Sequence, residues 1–141
     1  MVLKYYGIVL DQKEIKKKAV GKELSDTDDQ LFTATLFKEL IRGLKSYGIF
    51  WEELDFPMQD YRVGLTTILI ELKSKRPVII DSSLYGGHTM VVHGYLPDQG
   101  KLLIADPNIE SPGIRILTES EFEMIWNSGG NCRALVLTKG K

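Results

Sequence analysis

Gly86-Gly87-His88-Thr89-Met90-Val91-Val92-His93-Gly94-Tyr95 is a glycine turn feeding an apolar β-strand, with a histidine at the strand's mouth. Alternation along a strand puts His88, Met90 and Val92 on one face and Thr89, Val91 and His93 on the other. Pro97-Asp98-Gln99-Gly100 is a turn, and Leu102 to Ala105 returns antiparallel before Asp106-Pro107. The hairpin therefore sets residue 106 opposite some position between 88 and 91. A His and an Asp share one edge of a sheet. An imidazole so placed suits a general base, and a carboxylate beside it accepts the ring N–H, fixes the tautomer and favours the charged form. The plainer readings are a capping or core histidine for His88, and turn chemistry alone for Asp106-Pro107-Asn108. Gly86 and Gly87 leave space beside the imidazole that a substrate backbone can occupy, which makes them candidate substrate-binding positions.

Outward from this hairpin, the sequence predicts an α+β plan. Met1 to Tyr6 reads as the last turn or two of a helix stopped by Gly7, with no capping residue before it. The expectation is a helix whose front is missing. Asp11 to Glu14 is a capping-box pattern opening a helix from Gln12 to Val20, closed by Gly21. Ile15 and Ala19 face inward there, and Lys16, Lys17 and Lys18 form a solvated face. A second box at Thr27 to Gln30 opens a helix to about Tyr47, with Leu36, Leu40 and Leu44 at helical spacing and Gly48 as the stop. Ile49 to Trp51 is a short strand and Phe56-Pro57 a turn. Leu65, Ile68, Leu69 and Leu72 give a third helix its inner stripe, ending near Lys75.

The pattern then changes. Pro77 to Ile80 is a strand buried on both faces. Gly113 to Leu117 is another strand. Thr118 to Glu121 is a third capping box, for a short helix through Trp126. Asn127 to Asn131 is a glycine-rich loop, and Ala134 to Thr138 the last strand. Helices packed on an antiparallel sheet, in a single domain spanning residues 1–141, is the expected architecture.

Composition excludes several classes. The 141 residues carry 18 basic and 19 acidic side chains, a net charge of −1. That balance gives no nucleic-acid footprint. No apolar run approaches ~20 residues, so no membrane span is predicted. The single cysteine, Cys132, excludes an internal disulfide and fits a reducing, cytoplasmic setting. Cys132 follows a Gly-Gly-Asn loop into a strand and reads as a structural thiol. His88 and His93 face opposite ways and cannot chelate one ion, so no metal and no other cofactor is expected.

The ordered set Met1 to Gly7, Arg76 to Ile80, Gly87-His88 with its apolar run to Tyr95, Asp106-Pro107, Leu117-Thr118 through Phe122 and Trp126, and Arg133 to Lys139 resembles the papain-like, bacteriocin-processing cysteine peptidases. These are the double-glycine-leader peptidases of the C-39-like type. The resemblance implies a papain-like fold in which a cysteine attacks a peptide carbonyl, His88 is the base and Asp106 its partner. A Gln that serves the oxyanion hole and the nucleophilic Cys have no match in this chain. In the family they lie upstream of a segment like Met1 to Gly7, the Cys ~7 residues back at 3.6 per turn.

Two expectations follow from the resemblance. One is a cysteine-peptidase-like domain acting on a peptide or protein substrate, inactive in this chain for want of its nucleophile. The other is a non-catalytic peptide-binding module of the kind found beside peptide exporters. A missing helix front would also uncover Val78, Ile80 and Val92, and an apolar patch of that kind invites a homodimer.

Overall fold

The computed structural model describes residues 2–21, 37–110 and 113–138. Its elements are α1 (Val2–Tyr5), α2 (Gln12–Val20), α3 (Phe37–Lys45), β1 (Phe50–Pro57), α4 (Tyr61–Lys73), β2 (Val78–Ser82), β3 (His88–Leu96), β4 (Lys101–Ala105), β5 (Ile114–Thr118), α5 (Glu119–Ile125) and β6 (Asn131–Thr138). The class is α+β, as expected. The chain forms two compact units, Met1–Glu52 with Leu137–Lys141, and Glu53–Val136.

In the first unit, local signals set the helix ends. The Asp11 carboxylate accepts from the N–H groups of Lys13 and Glu14, and Gly21 ends α2 in the left-handed conformation. Arg42 of α3 donates to the Ala19 carbonyl at the end of α2. Ala19, Phe37, Leu44 and Ile49 are buried. Two expectations need correction here. Lys16 is buried at 7% exposure rather than solvated, since a lysine stem can lie along apolar surface on a helix's inner side. The helix α3 stops at Lys45, two residues short of Tyr47. The Thr27 capping box and Leu36 lie outside the described residues.

Six strands make one sheet in the order β1-β6-β2-β3-β4-β5 among the described residues. The β2–β3, β2–β6, β3–β4 and β4–β5 pairs are antiparallel. The β1 strand runs on through Phe56-Pro57, where a turn was expected. Pro57 is tolerated because β1 is an edge strand and the proline is its last residue.

The core of the second unit joins α4 and α5 to one sheet face. Val78, Ile80, Met90, Val92, Leu102 and Ile104 meet Leu65 and Ile68 of α4 and Phe122 of α5 there, with Trp126 after it. Val78, Ile80 and Val92 are each 0% exposed. The uncovered patch expected at these three residues does not exist, and the homodimer drawn from it loses its motive. Helix α4 approaches Trp126 closely because residue 64 is glycine. A Cβ there would sit 2.9 Å from the indole. Trp126 donates its Nε1–H to the Arg133 carbonyl at 2.9 Å, so the indole is both buried and satisfied. Thr118 and Glu121 form the reciprocal capping box that starts α5.

Candidate active site

The mouth of β3 is built by a turn with three successive residues at positive φ, two of them glycines. The backbone turns through Leu84–Gly86 with Tyr85 at φ 53°, Gly86 at φ 76° and Gly87 at φ 126°, all positive. Gly87, at φ 126° and ψ 116°, occupies a region closed to side chains with a Cβ. Ser83 ties the turn to the end of α5 through its N–H and the Ile125 carbonyl, 2.9 Å. Ser82 donates its hydroxyl to the His88 carbonyl at 2.8 Å. The histidine backbone is thereby clamped at the first residue of the strand.

The β3–β4 register pairs Val91 with Ala105, which brings Asp106 to the same end of the sheet as His88. His88 and Asp106 are brought together: Nε2 lies 2.5 Å from Oδ1. Asp106 also makes the expected turn, its Oδ1 accepting from the Asn108 N–H at 2.9 Å. Turn chemistry and histidine orientation are thus done by one carboxylate.

The other oxygen has a partner that the sequence reading did not single out. Arg115 on β5 donates its Nε–H to Asp106 Oδ2 at 2.6 Å. Its Nη2 donates to the Tyr85 hydroxyl at 2.8 Å. The Tyr85 ring stands edge-on to His88, centroids 5.4 Å apart. The signal for Arg115 was present but weak. It is a cation among Ile114, Ile116 and Leu117, on a strand that pairs with the one leading into Asp106.

The Asp106 side chain is 0% exposed. Burial pushes its carboxyl up. The Arg115 and His88 hydrogen bonds and the Asn108 N–H outweigh that and hold it down at about 2. The carboxylate stays ionised inside the protein because three donors point at it. With Nε2 committed to Asp106, the histidine's remaining nitrogen, Nδ1, has no hydrogen-bond partner among the described residues.

Gly86 and Gly87 line a cleft of about 340 Å³ together with Ser82, Ser83, Asn127, Ser128, Gly129 and Gly130. Nothing lies within 4 Å of where a Cβ would stand at Gly86, Gly87, Gly129 or Gly130. Both walls are therefore backbone and small polar groups. Such a surface can meet an extended peptide main chain closely.

Cys132 is not at the histidine. It is buried in the sheet core, 0% exposed, with its Sγ 3.4 Å from Met58 Sδ. Burial, with the charges of Glu123 and Asp55, pushes the thiol up to about 11. That is the reverse of what an attacking thiolate needs. Among the described residues no group of three or more His, Cys, Asp and Glu could hold a metal ion. No helix among them is long and apolar enough to cross a membrane.

Comparison with known proteins locates this arrangement. The model of the Peptidase_C39 like family matches residues 1–133. Among solved structures, the peptidase domain of Streptococcus ComA, a bi-functional ABC transporter involved in a quorum-sensing pathway, matches with TM-score 0.63 and 16% identity. The match covers 97% of this chain and 84% of that one. The peptidase domain of Streptococcus mutans ComA, in complex with a small-molecule inhibitor, matches with TM-score 0.53 and 17% identity over 92% of this chain and 95% of that one. The fold is that of these peptidase domains. Comparison with curated proteins gave no match.

Proposed function

The chain belongs to the Peptidase_C39 like family, and from that premise we propose that it binds extended peptides at the mouth of β3 and carries the base half of a cysteine-peptidase site. His88 is the general base and Asp106 its orienting carboxylate. One observation carries this reading: the 2.5 Å contact between His88 Nε2 and a carboxylate oxygen with no solvent exposure.

The chemistry follows from the atoms. A thiol brought against Nδ1 would give its proton to the imidazole and attack the peptide carbonyl as thiolate. The ring would then hand that proton to the leaving amine. Asp106 stabilises the imidazolium that exists between the two transfers. Cys132 cannot be that thiol, being buried and hard to ionise. Residues 1–141 by themselves therefore bind peptide without cutting it. Cleavage needs a reactive thiol presented to His88.

The cleft opens beside the glycine turn that leads into His88, and its lining suits the main chain of a bound peptide. Glycines on both walls, at 86, 87, 129 and 130, let a substrate main chain approach the protein backbone closely. A Gly-Gly segment fits this description. By analogy with the ComA domain, whose full protein is an ABC transporter, the peptide is one destined for export. The setting is cytoplasmic, which suits a lone unpaired thiol.

Calorimetry with an extended Gly-Gly-containing peptide tests the reading, with mass spectrometry of the same sample. Binding with the peptide left intact is expected. Absence of heat at millimolar peptide overturns it. Ser128→Leu adds bulk to a wall of the cleft without straining a positive-φ glycine, and is expected to weaken the peptide about tenfold.

A further inference from the structure

The four side chains at the mouth of β3 form a closed ring. His88 meets Asp106, Asp106 meets Arg115, Arg115 meets Tyr85, and the Tyr85 ring returns to His88. Two facts show that Tyr85 is more than a turn residue. Its backbone is left-handed, at φ 53° and ψ 28°. That conformation is sterically unfavourable for a non-glycine residue. A glycine would make the same turn without strain, as residues 86 and 87 do. Moreover, Tyr85 is 66% exposed, so burial does not hold it in place. What tyrosine adds over glycine is a ring edge against the imidazole and an oxygen for Arg115.

Arg115 has a matching position. Its guanidinium reaches from a fully buried carboxylate to an exposed phenol. A terminal carboxylate torsion is soft, and a carboxylate held at one oxygen can rotate. With Oδ2 on Arg115, and Oδ1 shared by His88 and the Asn108 N–H, the carboxylate plane has one setting. That setting selects the His88 tautomer that donates from Nε2 and leaves the Nδ1 lone pair open.

We propose that Arg115 and Tyr85 are positioning residues for the His88–Asp106 pair: Arg115 fixes the plane of the Asp106 carboxylate, and Tyr85 fixes both Arg115 and one edge of the His88 ring. Its consequence for catalysis rests on the reading of His88 as base. The geometry itself does not need the peptide. Removing either residue loosens the selection of the His88 tautomer without touching the imidazole.

Long-range proton–nitrogen spectra of histidine-labelled protein at pH 8 read the tautomer directly, with His93 as the internal control. In the unaltered chain the Nε2–H form of His88 is expected to dominate roughly tenfold, the selectivity of one charge-assisted hydrogen bond. Arg115→Gln and Tyr85→Gly are both expected to lower that ratio by about threefold, since the Asp106 bond persists but is less well oriented, and Tyr85→Phe by less. Tyr85→Gly also relieves the left-handed strain, so its melting temperature stays level or rises while selection falls. A purely structural role would lower both together. Arg115→Gln is further expected to move the Asp106 carboxyl upward from about 2, read by carbon NMR. Should Arg115→Gln fail to fold, Tyr85→Gly carries the test. An unchanged tautomer ratio in folded Tyr85→Gly overturns the proposal. Peptide calorimetry separates the two readings: a shifted tautomer in a chain that binds no peptide supports the clamp and sinks the peptide site.

Discussion

Asp106 and Asp81 lie in the same compact unit, and their carboxyls are driven in opposite directions. Asp106 is held down at about 2. Asp81 is pushed up by burial. Alternation along β2 and β3 puts Asp81 across from Thr89, on the face away from His88. The difference is in the donors. Asp106 has a guanidinium at 2.6 Å, an imidazole at 2.5 Å and a backbone N–H at 2.9 Å. Asp81 has one hydroxyl, from Thr89, at 3.0 Å. Its nearest cation, Arg133 at 3.7 Å, pairs more closely with Glu53. Burial alone makes a carboxyl reluctant to ionise, and a site that needs a buried carboxylate must surround it with donors.

The largest effect expected from this contrast is on stability at neutral pH. Asp106→Ala strips three hydrogen bonds and leaves a partly buried guanidinium unpaired, at a cost of about 3–5 kcal/mol. Asp81→Ala removes a carboxylate that folding does not favour, and the change should stay within about 1 kcal/mol. Urea denaturation of both variants at pH 7 measures the gap. Equal losses would break the comparison.

Acid sharpens it next. A depressed carboxyl contributes stability above its unfolded value and loses it as pH falls through its folded value. For Asp106 the contribution, roughly 2 kcal/mol, is complete above the ordinary 3.8 and fades as pH falls to about 2. Asp81 has the opposite sign, because its folded form takes up a proton more readily than its unfolded form. The expected result is a flattened acid limb between pH 4 and 2 in an Asp106→Asn stability profile, and a limb of undiminished slope in Asp81→Asn.

These contrasts mark what could be read in the sequence. The caps at Asp11 and Thr118 and the stop at Gly21 were legible because each bond spans three or four residues of one helix. His88 and Asp106 were legible because one hairpin, with one recognisable turn at residues 97 to 100, fixes their separation to within a few positions. Arg115 was not. It reaches Asp106 through a second strand pairing, and the register of β4 with β5 is not marked by any recognisable turn in the sequence. Tyr85 was missed for a related reason, since nothing local marks a tyrosine for positive φ. Pro57 misled because its tolerance depends on β1 being an edge strand, a property of the whole sheet. The burial of Val78, Ile80 and Val92 depends likewise on where α4 and α5 come to lie.

A smaller effect separates the three donors to Asp106. His88→Ala removes one of them and leaves the Arg115 and Asn108 bonds in place. The His88 side chain is 11% exposed, so some packing is lost with it. The cost should be about 1–2 kcal/mol, well below that of Asp106→Ala. The Asp106 carboxyl should remain below its usual range in this variant, because the Arg115 and Asn108 hydrogen bonds that hold it down stay in place. Carbon NMR of labelled aspartate reads that directly. A return to the ordinary carboxyl range would show that the imidazole, and not the guanidinium, keeps the carboxylate ionised.

The smallest expected effect is on the Asp81 side. Thr89→Val keeps the β-branched shape that suits a strand and deletes the one hydroxyl that donates to Asp81. The Asp81 side chain is 22% exposed, so water can replace most of what the hydroxyl supplied. A loss of about 0.5 kcal/mol is expected. The Asp81 carboxyl should rise further, since burial then acts against fewer donors. The informative reading is at the other carboxyl. Thr89 follows His88 directly, yet its side chain leaves the strand on the opposite face. If the two faces are electrostatically separate, Asp106 titrates in Thr89→Val as it does in the unaltered chain. A shift at Asp106 would mean that the change reached it through the β3 backbone, and the two carboxyls could no longer be treated as independent products of their own donors.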